Sequence, residues 1–165
     1  MVTFLPWLSL IFGWVYVTCW SLSFYPQPLL NWKRRSTSGT TIDFPTINVL
    51  GFLAYFVSNA AFLYSSTIRE QYAARNHGLT PTVQFNDLVF AGHAVILSLI
   101  TYSQFYAGLW GFARNPRGGH VSRSILGVFF GSLLGVGVVI IIVLSKSGGK
   151  QDVDALSSWA WIDVV

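Results

Sequence analysis

The sequence predicts an all-α polytopic membrane protein, on three observations. Charged residues make up only 10% of the 165 residues, against roughly a quarter in ordinary globular chains. Apolar residues reach 53%, with a mean hydropathy of +0.54. The third observation is length: a bilayer core about 30 Å thick needs roughly 20 helical residues. Four apolar runs of that size alternate with polar gaps, over residues 5–30, 44–64, 85–110 and 124–144. A fifth begins at Trp159 and reaches only Val165, too short to cross.

The first run is expected to persist as a helix. No cation precedes it, it is longer than a signal-peptide core, and no small-residue cleavage site follows it. Trp7, Trp14, Trp20 and Trp32 spread along it as interfacial anchors do. Pro26 and Pro28 sit near its end, in SFYPQPLLNWKRRSTSG, and deprive the Leu22 and Phe24 carbonyls of their helical donors. In lipid such carbonyls need another partner, so the helix is expected to kink there, with Pro26 and Pro28 as a hinge. Gln27 between them can serve the freed backbone or face a cavity.

The gaps set orientation. Lys33, Arg34 and Arg35 in the first gap, and Arg114, Arg117 and Arg123 in the third, have no acid beside them and read as cytoplasmic. The second gap balances Arg69 and Arg75 with Glu70, and the fourth balances Lys146 and Lys150 with Asp152 and Asp154. These read as lumenal, which places the N-terminus there too. The net charge of +4 is thus a membrane-topology signal and no argument for nucleic acid.

The second run opens with Asp43 as a plausible N-cap and Pro45 in the first turn. Asn48 follows one turn in. An amide inside a span needs partners, so Asn48 either lines a pocket with Gly51 and Tyr55, which share its helical face, or bonds to a neighbouring helix. In the third run Asp87 either caps the helix with Asn86 or acts as a carboxylate whose protonation couples to transport. His93 falls on a different face and reads as a packing or hydrogen-bonding residue. The fourth run places Gly127, Gly131 and Gly135 four residues apart. That small-residue ridge is suited to packing against the other three helices or a second copy.

Soluble chemistry is not legible. The chain has no phosphate loop, dinucleotide fingerprint, HExxH or plausible carboxylate pair, and its lone Cys19 allows neither an internal disulfide nor a cysteine-based metal site. No enzyme, metal or cofactor is expected. RNPRGGH in the third gap is a basic turn whose cations suit anionic headgroups.

The stretch SFYPQPLLNWKRRSTSG resembles the PQ-loop motif of the cystinosin family, proton-coupled exporters of cystine from lysosomes or fungal vacuoles. GWVYVTCWSLSFYPQ, IDFPTINVLGFLAY and FNDLVFAGHAV are similar to cystinosin segments in the same order and spacing. The resemblance implies a SWEET-like three-helix PQ-loop repeat over residues 1–111, followed over 112–165 by a linker helix and the start of a further helix. It implies cystine and protons as cargo, with Asn48 in contact with substrate, Asp87 as the proton-coupling residue and the proton as the only coupling ion; Gln27 and Tyr55, from their positions, are expected to bind substrate beside Asn48. It also implies a second repeat, with its own PQ motif, that this sequence does not contain, so that a further half or a second copy would complete the site. A transporter of the same fold for another amino acid or a sugar, and a membrane interaction protein that transports nothing, are the alternatives.

Overall fold

The computed structural model describes residues 4–113, 115, 118–147 and 160–165. Arg114, Pro116, Arg117, Lys150, Asp152, Asp154 and Trp159 lie outside them. The described chain is almost wholly helical. α1 covers Phe4–Ser23, α2 Pro26–Arg34, α3 Asp43–Tyr64, α4 Ser66–Arg75, α5 Phe85–Ser103, α6 Ala107–Trp110 and α7 Arg123–Ser147, with a 3₁₀ turn at Trp161–Asp163. Among the described residues four spans are long and apolar enough to cross a membrane: α1 with α2, α3, α5 and α7.

The first span is interrupted beside the prolines, where the kink is expected. It divides into α1 and α2 at Phe24 and Tyr25, just ahead of the prolines. There the ladder tightens: the Phe24 amide donates to Ser21 O at 3.2 Å and the Tyr25 amide to Leu22 O at 3.3 Å. The Leu22 carbonyl is therefore served although Pro26 cannot serve it. Pro26 opens the first turn of α2, where a missing N–H leaves nothing unpaired. The prolines thus stand in the first turn of α2, directly after the break. The third span ends earlier than expected, at Ser103, with three residues turning before the short α6.

α5, third of the spans in sequence, packs against both α1 and α3, so it lies between them. Gly13 on α1 makes one of the close approaches: a Cβ there would fall 2.4 Å from Asn86 Nδ2. Asp43 does not cap its own helix. It is the first residue of α3, and its Oδ1 accepts the Ser122 amide at 2.7 Å, tying α3 to the start of α7. Ser122 in turn accepts the Ile125 amide on its Oγ. The two basic loops are locked together on the same end: Asn115 Nδ2 donates to Thr37 O and Thr40 O, and the Ile42 amide donates to Gly118 O at 2.9 Å.

α4 forms in the second gap because Ser65 caps it, accepting the Ile68 amide. The chain end docks on α4. Arg75 grips Asp163 with two nitrogens, at 2.5 and 2.8 Å, and the Ile162 amide donates to Gln71 Oε1 at 3.0 Å. The Arg75 guanidinium holds the Asp163 carboxyl below its usual range. A carboxyl with a lowered folded-state pKa stabilises at neutral pH, and that contribution is lost only as pH falls through the lowered value. Amide exchange at Ile162 is therefore expected to stay slow in mild acid and to accelerate only in stronger acid. Asp163→Asn should make it fast throughout, and equal protection in the variant would show that the clasp holds nothing.

Candidate functional site

The hollow grows from the α2 break outward. Gln27 on α2, Asn48 on α3 and Ser98 and Thr101 on α5 line an inner hollow of about 310 Å³, walled by Trp20, Phe24, Phe44 and Phe52. An outer hollow of about 530 Å³ shares Gln27, Phe44, Pro45 and Thr101 with it and continues to loop residues Thr40, Thr41, Asn115 and Gly118. The route thus runs from the bundle interior to the basic-loop end. No charged side chain lines either part among the described residues.

The other side is closed by rings. Phe24, one of the two break residues, meets Phe52 edge-on at 5.2 Å, Phe52 meets Phe90 at 6.1 Å, and Tyr16 leans on Phe90 at 6.2 Å. Edge-to-face aromatic pairs of this kind add about 0.5–1.5 kcal/mol each beyond their burial. The second break residue, Tyr25, places its hydroxyl 2.9 Å from His93 Nε2. Both residues of the break are thus held by neighbouring helices.

Behind the hollow runs a chain of amides. Gln27 Nε2 donates to Asn31 Oδ1, Asn31 Nδ2 donates to Gln104 Oε1, and Gln104 Nε2 donates to Pro28 O, at 2.8, 2.8 and 2.9 Å. Asn31 and Gln104 are 3% and 2% exposed. This relay fixes the Gln27 amide and clamps α2 onto the end of α5.

A family model described as PQ loop repeat matches residues 8–68, which include the whole break, α2 and α3. The chain is 30% identical to a cystinosin homolog of Dictyostelium discoideum over 94% of its own length and 49% of the relative's. These similarities support membership in the cystinosin family. The chain is also 40% identical to cystinosin of Bos taurus, over 59% of this chain and 26% of that one. With a cystine transporter of Saccharomyces cerevisiae it shares 31% identity, over 67% of this chain and 41% of that one. This chain therefore matches half or less of the length of these relatives.

Within this chain the sequence-predicted residues part company. Gln27 and Asn48 converge on the inner hollow; Pro28 is buried beneath it, and Pro26 is exposed at the break. Tyr55 does not join them. It is 42% exposed and lines neither hollow, because the inner one ends at Phe52, where the ring cluster begins. Gly51, on the same stripe, is also exposed and open.

Asp87 sits away from the hollow. Its Oδ2 accepts the Gln84 amide at 2.8 Å, so it does cap α5. Eleven residues separate it from Ser98, about 16 Å along the helix, with Phe90 between. Asn86 does not share the capping; it is buried against Gly13, and its Oδ1 has no partner among the described residues. His93 fills the hydrogen-bonding role expected of it. Its Nδ1 is buried without a partner among the described residues.

The glycine ridge does not seat α7 against the three-helix bundle. A Cβ at Gly127, Gly131 or Gly135 would meet nothing within 4 Å, and α7 touches α3 with another face. The signals that could have exposed Asn31 and Gln104 were weak: two uncharged amides at span ends, with partners some 70 residues away in sequence.

Proposed function

We propose that this chain forms one wall of a proton-coupled route that exports cystine from the lysosome or vacuole to the cytosol. The observation that carries the proposal is the hollow shared by Gln27 and Asn48, with hydroxyl and amide groups, aromatic walls and no charged lining among the described residues. Cystine carries two ammonium and two carboxylate groups and no net charge near neutrality. A low-dielectric hollow without an ion of its own accepts such a zwitterion with less penalty than a net-charged amino acid. The basic loops lie at the cytosolic end, where the outer hollow opens, and the N-terminus is lumenal.

In this reading acid on the lumenal side protonates Asp87. The neutral carboxyl loses its attraction to the N-terminal end of α5 and weakens its hold on the Gln84 amide. α5 carries Phe90 of the ring cluster and Ser98 of the hollow, so a shift in α5 acts on both together. Movement at the Phe24–Pro26 break then opens one side of the hollow and closes the other. Asp87 in this scheme acts through α5, without touching cargo. A second three-helix unit, from further chain or a second copy, closes the far side of the hollow, and the open glycine ridge of α7 supplies a packing face for it.

Uptake of radiolabelled L-cystine, L-arginine and glucose into vesicles holding the protein tests the proposal. Cystine is expected to be carried in preference to arginine, and Asn48→Ala to raise the KM for cystine about tenfold. Glucose carried in place of cystine would favour a sugar transporter, whose cargo suits the same uncharged lining.

A further inference from the structure

We infer that Ser98 is a cargo-binding residue, its Oγ hydrogen-bonding the ammonium or carboxylate group of a zwitterion in the inner hollow. This rests on the transport reading above and adds to it a contact that neither motif nor spacing marked. Ser98 is 3% exposed and lines the hollow together with Gln27 and Asn48. Its Oγ has no hydrogen-bond partner among the described residues.

The neighbouring hydroxyls make that vacancy informative. A serine or threonine buried in a helix ordinarily bonds back to a carbonyl three or four residues earlier. On the same helix Thr101 does so, to Leu97 O at 2.8 Å, and so does Ser103, to Ile100 O at 2.7 Å. Ser98, between the same turns, does not. A buried hydroxyl left without a partner is a net penalty to the fold, and a ligand seated in the hollow removes it. Across the hollow Gln27 Nε2 is engaged by Asn31, which leaves the Gln27 oxygen and the Asn48 amide to complete the polar ring. A hydroxyl can donate to a carboxylate or accept from an ammonium, so Ser98 suits either end of a zwitterion.

The test compares wild type, Ser98→Ala and Ser98→Thr, each as the full chain in lipid nanodiscs. Two quantities are read: equilibrium binding of radiolabelled L-cystine, and thermal stability without ligand. Ser98→Ala is expected to weaken cystine binding about tenfold, the scale of one hydrogen bond to a charged group, with stability unchanged or raised. Ser98→Thr, which keeps the hydroxyl, should bind within a few-fold of wild type. If wild type binds cystine and Ser98→Ala binds it equally well, the Ser98 role falls and the transport reading stands. If Ser98→Ala loses stability in step with affinity, the residue is structural and the inference is overturned. Should wild type bind no cystine, the transport reading and the Ser98 contact fall together.

Discussion

Asp87→Asn is expected to abolish the pH dependence of cystine uptake while leaving the protein folded. The asparagine oxygen can still accept the Gln84 amide, as the Asp87 carboxylate does at 2.8 Å, so the start of α5 keeps its cap. What the variant lacks is a proton to exchange. Each pH unit across the membrane drives a coupled proton with about 1.4 kcal/mol, or tenfold in the accumulation ratio. Wild-type uptake should therefore rise with lumenal acidity, and the variant should show a flat profile. A variant that follows the wild-type pH curve would remove Asp87 from the mechanism. In that event His93 is the next group to change, since its Nδ1 is buried without a partner among the described residues and its Nε2 meets the hydroxyl of a break residue. The comparison of Asp87→Asn with His93→Gln assigns the coupling proton to one or the other.

The second large effect concerns stability. Gln104→Leu keeps the side-chain volume but leaves Asn31 Nδ2 without its acceptor and Pro28 O without its side-chain donor. Interhelical hydrogen bonds in membrane proteins average only about 0.6 kcal/mol, because alternative partners are found on unfolding. Here two bonds go at once, and on an Asn31 side chain only 3% exposed the Nδ2 is left without its acceptor, while Oδ1 keeps the Gln27 donor. An orphaned buried donor costs about 1–3 kcal/mol, so a loss near 2 kcal/mol and a fall of several degrees in Tm are expected. Asn31→Leu combined with Gln104→Leu should be less damaging than the two separate losses added, since removing both partners leaves no orphan between them. Thermal unfolding in detergent measures all three; a Gln104→Leu variant as stable as wild type would show that the relay holds nothing together. The relay also orients Gln27, so the same variant is expected to weaken cystine uptake.

Much of this protein was legible in its sequence because the bilayer is a demanding solvent. Every backbone polar group in hydrocarbon must be paired within the chain, which leaves helices of about 20 residues as the available answer. Run length alone therefore placed the second and fourth spans to within about three residues at either end. The proline pair marked the site of the break, and the amides Gln27 and Asn48 stood out as polar groups in apolar company.

Tertiary structure decided what those groups do. The break precedes Pro26 because Tyr25 can reach the Leu22 carbonyl, and because Phe24 and Tyr25 are held by rings and a histidine from other helices. Asp43 turned from capping its own helix to holding Ser122, 79 residues away. Tyr55 lies beyond the hollow, which stops at Phe52, whereas Ser98 lines it with a hydroxyl that has no partner among the described residues. Solvent acts on each residue locally and so leaves a local pattern in the chain. A partner 70 residues distant leaves none until helices pack and bring the two together.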